Sequence, residues 1–293
     1  MIEFECDNKL KSWIESVLER EHHQKPIIVK AEPLEHSMGH MSNIIRFYLD
    51  WPNHTKTTSN TVIAKIPTSK KMRETLGENN DNLTIDDSDD VEEEDDFLEM
   101  IHNIESESYR FFKKVSCEGL YVPYFYDSLP FSASTPCLLM EDIHSCHVID
   151  IVDGFDDNQL YQIVDQLVAL HVYCLTQNNW KTLGMDSKVN RSSKNYVALI
   201  DQMTKRLKAD HPVLEKGLDL LHRNYTSNDV IDCIYAVHDI VSVFEDVVRT
   251  YVHGDLWSAN ILWKGDKLAA IVDWTLCHSG SLKPSTTAAF KQQ

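Results

Sequence analysis

The stretch of sequence that decides the fold is YVHGDLWSANILWKGDKLAAIVDWTL, residues 251–276. It contains an HGD triplet that ends at Asp255, then Asn260 five positions later, and an apolar run that ends at Asp273. Phosphoryl transfer needs these side chains: one carboxylate orients the attacking hydroxyl and accepts its proton, while an amide and a second carboxylate hold Mg²⁺. A lone HGD triplet is a chance turn, but the combination and its spacing predict a phosphotransfer site.

A short hairpin brings the metal-binding candidates together. Residues 261–263 and 268–272 have the character of two strands, and the polar residues 264–267 form a plausible turn between them. Pairing these strands places Asn260, at the start of the first, beside Asp273, at the end of the second. Asp255 then lies on the loop that leads into the hairpin.

The rest of the chain predicts a β-rich part followed by a helical part. In the first part we expect helices at 8–20 and 97–115, strands at 44–51 and 61–66, and a hairpin of 124–128 with 137–141. In the second part, helical spacing recurs at 156–171, 196–208, 213–222 and 236–251, and Asp156 with Gln159 resembles a capping box. This order predicts an α+β fold in two lobes, an N-lobe at residues 1–142 and a C-lobe at residues 143–293.

The charge of the chain is strongly acidic and concentrated in one stretch. The 293 residues carry a formal net charge of −18, of which the twelve Asp and Glu of residues 78–99 supply −12. This balance argues against a nucleic-acid partner, because binding a polyanion needs clustered basic residues. Residues 78–99 combine uniform charge with few large apolar groups, so we expect an acidic, disordered insertion without a core of its own.

The location expected from sequence is cytoplasmic. No run of about 18 apolar residues is present, so we expect no membrane span, and the first residues do not read as a signal peptide. The seven cysteines are scattered and contain no CxxC pair, which favours reduced thiols over a disulfide framework.

The stretches HGDLWSANILW and LAAIVDW resemble the choline-kinase-like and ecdysteroid-kinase-like (CHK kinase-like) phosphotransferases, in particular their uncharacterised nematode members. The resemblance covers about residues 38–281. It implies a two-lobed protein-kinase-like fold, ATP and Mg²⁺ as cofactors, and a small-molecule alcohol as substrate. Gly254 stands where protein kinases carry Arg, which also points to small-molecule substrates.

The resemblance implies a role for two upstream charged residues. Lys65 looks like the strand lysine that contacts the nucleotide phosphates, and strand alternation puts it on the face of Ile63. Glu105 looks like the helix glutamate that pairs with this lysine. Helical periodicity alone does not choose between Glu105 and Glu107, because each shares a face with apolar residues.

The adenine and phosphate contacts are also implied by the resemblance. Glu141, within the Met140–Asp142 segment, would belong to the hinge that meets the adenine through backbone groups, although carboxylates at a strand end also read as solvated charges. The family's glycine-rich loop corresponds to residues 35–42, where Gly39 is the single glycine. Gly39 and Ser42 would offer backbone and hydroxyl donors to phosphate.

The end of the chain departs from the family pattern. Residues 282–293 do not resemble the family, whose acidic residue and following helices are missing here. A shortened C-lobe leaves two readings open: an active kinase, or a non-catalytic kinase-like binding or regulatory module. The acceptor is equally open among a sterol-like alcohol, a choline-like amino alcohol and a glycoside.

Overall fold

The structure is a computed structural model of the whole chain. It describes residues 7–34, 41–53, 55, 58–68, 89–115, 117–184, 204–205, 207–225 and 248–281.

The N-lobe is built on a five-stranded antiparallel sheet of order β1-β2-β3-β5-β4. Its strands are β1 (Ile27–Pro33), β2 (Ser42–Asp50), β3 (Thr61–Pro67), β4 (Phe125–Leu129) and β5 (Cys137–Glu141). Helix α1 (Asn8–His22) covers one face of this sheet, where Leu10, Ile14, Val17 and Leu18 pack against Ile45, Phe47, Val62, Ala64 and Leu139. The other face is therefore left for the cleft.

Helix α2 (Asp89–Lys114) corrects the expected extent of the acidic loop. We expected a disordered loop over 78–99 and a helix from residue 97, but the helix begins at Asp89, eight residues earlier. The physical reason is the helix dipole: acidic side chains are favourable near a helix N-terminus, so an acidic run can extend a helix that is anchored further along. Residues 78–88 lie outside the described residues.

The described C-lobe helices lie where the sequence predicts them. Helix α3 (Asp157–Thr176) begins with the predicted capping box, in which the Asp156 side chain accepts from the Gln159 backbone N–H and the Gln159 side chain accepts from the Asp156 backbone N–H. Helix α4 (Glu215–Tyr225) follows a 3₁₀ turn (Pro212–Leu214). Of the helix expected at 196–208, residues 204–205 and 207–208 are described and helical.

The helix expected at 236–251 is wrong at its C-terminal end. Residues 236–247 lie outside the described residues, but Arg249–Val252 forms strand β6, which pairs antiparallel with β9 (His278–Ser281). The tetrapeptide RTYV contains β-branched and aromatic side chains, which favour a strand once a partner is available. Tertiary pairing thus overrides a helical spacing that continued into this segment by coincidence.

The predicted hairpin after Asn260 is confirmed. Strands β7 (Ile261–Lys264) and β8 (Lys267–Ile271) pair antiparallel, with Ile261 opposite Ile271. Behind them, an apolar core runs from the cleft face of the sheet through α2 into the C-lobe, and it includes the fully buried Trp263 and Trp274. Among the described residues, we find no helix with the length and apolar character needed to cross a bilayer.

Candidate active site

Lys65 lies at the centre of the site and joins the two lobes. On β3, Val62 and Ala64 pack under α1, while Ile63 belongs to the core on the opposite face, as strand alternation predicts. Lys65 therefore faces the cleft. Its Nζ lies 2.8 Å from the carboxylate of Glu105 and 2.7 Å from Oδ1 of Asp273.

The geometry decides between the two glutamates that the sequence left open. Glu105 is buried in α2, with 2% of its side chain exposed, and it forms the ion pair with Lys65. Glu107 is only partly buried and is not the residue that contacts Lys65. A turn further along α2, Ser108 Oγ lies 2.6 Å from the hydroxyl of Tyr251, which ties this helix to β6. The position of Glu105 is thus fixed from both lobes.

The charges of this trio are mutually dependent. Burial works against the charge of Lys65, but Asp273 and Glu105 outweigh it, so the pKa of Lys65 is raised. Burial raises the pKa of Glu105 to about 7, although Lys65 opposes the shift. Burial also disfavours the charge of Asp273, but Lys65 outweighs it and lowers the pKa of that carboxyl. Asp273 is therefore the carboxylate that stays ionised beside the lysine.

Asp255 and Asn260 lie together on the loop before β7. Asn260 Nδ2 donates to the backbone carbonyl of Asp255 at 2.8 Å and to its Oδ2 at 3.1 Å. Burial raises the pKa of Asp255, the charge of Asp273 adds to the shift, and the hydrogen bond from Asn260 opposes it. A half-buried carboxylate with a raised pKa is suited to accept a proton.

Asp273, two residues after the end of β8, has an unusual backbone conformation. Its φ of 65° lies in the left-handed region, which is rare for a residue other than glycine. The Val272 N–H donates to the Asn260 carbonyl at 2.9 Å, so Asn260 and Asp273 are brought to the same end of the hairpin, as predicted. Thr275 Oγ1 donates to Asp273 Oδ1 at 3.1 Å and helps to hold the carboxylate.

His253 supports the loop that carries Asp255, and its imidazole is neutral near pH 7. Its Nε2 donates to the Val272 carbonyl at 2.9 Å, and its Nδ1 accepts from the Asp255 N–H at 3.3 Å, so the ring is neutral. Burial lowers the pKa of His253 to about 4. The ring also packs on Trp274, with centroids 4.6 Å apart. His253 thereby links the Asp255 loop to the turn that carries Asp273.

Gly254 is required by the same close packing. Its φ is +81°, and a Cβ at this position would lie 2.0 Å from the carbonyl oxygen of Leu276. The loop with Asp255 and the 3₁₀ turn after Asp273 (Trp274–Leu276) therefore approach each other through backbone. From the sequence, Gly254 was related to the type of substrate. The structure explains the glycine by the close packing of its main chain against Leu276.

Of the residues expected at the nucleotide, Ser42 and Glu141 are described and Gly39 lies outside the described residues. Ser42 begins β2 opposite Pro67, and because Ile44 lies opposite Lys65, Ser42 shares the cleft face with the lysine. Glu141 ends β5 with an exposed side chain, and its backbone N–H donates to the Tyr124 carbonyl at 2.8 Å.

Asp142 is not solvent-exposed, although its position at a strand end suggested a solvated carboxylate. It is buried, with 3% of its side chain exposed, and accepts hydrogen bonds from Arg46 and Thr61. Sequence reasoning missed this cluster because the two partners lie 96 and 81 residues away. A period-two pattern on β2 and β3 puts them on the cleft face but does not reveal that they meet a carboxylate.

The described residues contain no group of three or more His, Cys, Asp or Glu side chains arranged to hold a metal ion. A metal centre built from protein ligands alone is therefore not seen in this part of the chain. At the end of the hairpin, where the Val272 N–H bonds the Asn260 carbonyl, the candidate oxygen ligands are the carboxylate of Asp273 and the amide of Asn260.

Comparisons with known proteins agree with this architecture. A family profile, DUF1679, described as "Uncharacterized oxidoreductase dhs-27", matches residues 29–285. A Caenorhabditis elegans protein of that description is 22% identical over 261 residues, covering 83% of this chain and 30% of the relative. The chain thus spans less than a third of the relative's length.

Solved structures that the chain matches include aminoglycoside phosphotransferases. The gentamicin–APH(2")-IIa complex matches with a TM-score of 0.50 and 14% identity, over 96% of this chain and 73% of that one. The ternary complex of aminoglycoside phosphotransferase APH(4)-Ia with AMP-PNP and hygromycin B has a TM-score of 0.43 and 15% identity, over 92% and 73%. The first likeness shows the fold, which is the expected α+β, two-lobed protein-kinase-like fold.

Proposed function

The chain belongs to the DUF1679 family, and we propose that it is an ATP- and Mg²⁺-dependent phosphotransferase that transfers the γ-phosphate to a hydroxyl of a small molecule. The finer assignment to the choline-kinase-like and ecdysteroid-kinase-like enzymes stays a prediction from the motif residues. The shared fold alone does not carry this proposal, since one fold hosts many functions.

The observation that carries the proposal is the double contact of Lys65. The lysine comes from the N-lobe sheet, and within 2.8 Å it meets a carboxylate from α2 and another from the end of the catalytic hairpin. In protein-kinase-like enzymes a strand lysine held by a helix glutamate must lie beside a metal-binding aspartate for phosphoryl transfer. Lys65, Glu105 and Asp273 have that relation.

The donor set fits Mg²⁺ and a nucleotide. Because Asn260 directs its Nδ2 toward Asp255, its Oδ1 points away as an oxygen ligand, and Asp273 supplies an ionised carboxylate that is 30% exposed. Hard oxygen ligands of this kind suit Mg²⁺, which keeps several waters and therefore needs few protein ligands. When bound, the metal would neutralise phosphate charge. Lys65 would bind the α- and β-phosphates, and Ser42 with Gly39 would add donors.

Asp255 is the residue proposed to act on the acceptor. Its side chain is half-buried at the cleft end of the loop, and Asn260 holds one of its carboxylate oxygens. Its raised pKa brings it closer to neutral pH, where proton transfer from a hydroxyl is efficient. Asp255 would orient the hydroxyl of the acceptor and accept its proton.

We do not propose an oxidoreductase activity from the description of the relative. That description names a protein of which the chain spans 30%. A dinucleotide-dependent oxidoreductase commonly carries a GxGxxG fingerprint after a strand, and the nine glycines of this sequence contain no such pattern.

The test compares Asp255→Asn with the wild type in two assays. Calorimetric titration with MgATP measures binding, and transfer of labelled γ-phosphate into a small-molecule extract measures chemistry. We expect Asp255→Asn to bind MgATP like the wild type and to lose at least about 100-fold in transfer, the typical contribution of a general base. Asp266→Asn, on the exposed turn of the same hairpin, is the matched control and should retain both.

Two results would count against the proposal in different ways. Equal transfer by wild type and Asp255→Asn would remove Asp255 from its role. A wild type that shows no binding of MgATP at millimolar nucleotide would favour the non-catalytic kinase-like module instead.

A further inference from the structure

A second buried charge cluster lies at the point where the chain leaves the N-lobe. Asp142 follows β5 directly, and its carboxylate accepts from Arg46 Nε at 2.6 Å, from Arg46 Nη2 at 3.0 Å and from Thr61 Oγ1 at 2.6 Å. The two arginine contacts form a fork, which is the strong geometry for an arginine–carboxylate pair. A buried carboxylate needs such donors, because burying a polar group without hydrogen-bond partners is costly.

The hydroxyl of Thr61 connects this carboxylate to the linker that follows. Since a carboxylate only accepts, Thr61 must donate to Asp142 and must accept from its other partner, Nε2 of His144 at 2.7 Å. His144 Nδ1 lies 3.7 Å from Asp142 Oδ2, so the imidazole stands over the same carboxylate. The residues just beyond the sheet are thereby held against β3.

The cluster and Lys65 share one face of the sheet. Arg46 lies opposite Ile63 and Ile44 lies opposite Lys65, so the side chains of Arg46, Thr61 and Lys65 all belong to the cleft face. Thr61 is four residues before Lys65 on β3. Any shift of β3 relative to Asp142 therefore also shifts the lysine.

The other end of the linker is fixed to the catalytic hairpin. The His147 N–H donates to the Trp263 carbonyl at 2.9 Å, and the Trp263 N–H donates to the His147 carbonyl at 2.8 Å. Trp263 is fully buried in β7, three residues after Asn260. Only four residues, 143–146, thus lie between Asp142, which contacts β3, and His147, which contacts the strand that follows Asn260.

We propose that Asp142 is a positioning residue: through Arg46 and Thr61 it fixes the linker to β3, and so sets the spacing between Lys65 and the Asn260 end of the hairpin. The consequence for nucleotide binding rests on the proposed function. The effect on the linker itself does not, because it concerns contacts made by the protein alone.

The test uses variants that remove donors from Asp142 while keeping the carboxylate. Arg46→Gln removes the fork, and Thr61→Val removes the hydroxyl with little change in shape. Two variants serve as controls: Thr61→Ser keeps the hydroxyl, and Arg20→Gln breaks an arginine–carboxylate pair of the same 2.6 Å length to Asp127, in which Arg20 is 65% exposed. All four keep the main chain of the linker unchanged.

The first readout is amide hydrogen exchange of His147 and Trp263 in the protein without nucleotide. We expect exchange to be faster by about tenfold in Arg46→Gln and Thr61→Val, and unchanged in the two controls, since local opening follows the loss of local contacts. The amides of Phe47 and Val62 should exchange at the wild-type rate in every variant. A merely structural role of the cluster would instead accelerate these sheet amides equally.

The second readout is the Kd for MgATP, which we expect to rise by about tenfold in Arg46→Gln and Thr61→Val, an effect of the size seen for coupled positioning contacts. Unchanged exchange at His147 and Trp263 in both variants would overturn the proposal, and so would equal acceleration across the sheet. If the wild type binds no MgATP, the proposed function fails, while the exchange data still decide the role of Asp142.

Discussion

Replacing Gly254 by alanine tests how tightly the loop that carries Asp255 is packed. The glycine has φ +81°, and a Cβ would lie 2.0 Å from the oxygen and 2.8 Å from the carbon of the Leu276 carbonyl. Both atoms are main chain, so no side-chain rotation relieves the overlap. Either the loop with Asp255 or the turn after Asp273 must move.

The magnitude follows from two contributions. A left-handed backbone at an alanine costs about 1–2 kcal/mol. Moving backbone out of an overpacked contact costs about 1–3 kcal/mol more. The free energy of unfolding should therefore fall by roughly 2–5 kcal/mol, which for a chain of this size lowers the melting temperature by roughly 5–15 °C.

Two other glycines serve as matched controls for this prediction. Gly265 also has a positive φ, +59°, but no atom lies within 4 Å of its added Cβ, so Gly265→Ala should cost only about 1 kcal/mol. Gly217 lies in α4 with open space around it, and Gly217→Ala should stabilise by about 0.5–1 kcal/mol. Thermal unfolding followed by circular dichroism measures all three. Equal melting temperatures for Gly254→Ala and Gly265→Ala would refute the packing argument.

Three further predictions concern buried charges and a helix cap. Lys65→Met leaves Glu105 without its cation. Burial raises the pKa of Glu105 to about 7 although Lys65 opposes the shift, so the loss of Lys65 raises that pKa further. The loss of melting temperature should therefore be larger at about pH 8.5, where the wild type ionises this carboxyl, than at about pH 6, and equal losses would contradict it. Burial lowers the pKa of His171 to about 4, so the unfolded state binds more protons than the folded state between about pH 6.5 and pH 4, and stability decreases as the pH is lowered through this range. His171→Leu should make the melting temperature depend less on pH in this range. An unchanged pH dependence would show that His171 is not its source. Asp156→Ala removes the cap of α3 and should lower the free energy of unfolding in urea by about 1 kcal/mol, whereas an unchanged midpoint would show that the cap contributes nothing.

Local patterns predicted the parts of the site that are built from neighbouring residues. The hairpin β7–β8 brings Asn260 and Asp273 to the same end because they are 13 residues apart in sequence. Alternation on β3 placed Lys65 on the face of Ile63, while its place at the cleft was implied by the family resemblance. The choice of Glu105 over Glu107 needed the structure, since it depends on how α2 rotates against the sheet. The environment of Asp142 depends on distant strands, which no local pattern contains.

The secondary structure that sequence missed has equally physical causes. Strand β1 is an edge strand with a register irregularity between Ile28 and Lys30, so its burial does not alternate and no period of two marks it. The tetrapeptide of β6 becomes a strand only because β9 pairs with it from 29 residues further along. In each case a partner supplied by the fold decided the conformation.

The buried charges at the cleft are better explained by a ligand than by stability. A well-packed apolar group generally stabilises a core as much as a buried ion pair does. The buried ion pairs of Lys65 with Glu105 and Asp273 therefore add little stability beyond what apolar side chains in their place would give. With Asp255 nearby, the four side chains carry a formal charge of −2 when all are ionised. Burial raises the pKa of Glu105 and of Asp255, and the charge of Asp273 adds to both shifts. If the proposed function holds, Asn260 and Asp273 would hold a divalent cation that supplies positive charge against this excess, and Lys65 would bind phosphate. Mg²⁺ alone should therefore raise the melting temperature of the wild type and not of Asp273→Asn.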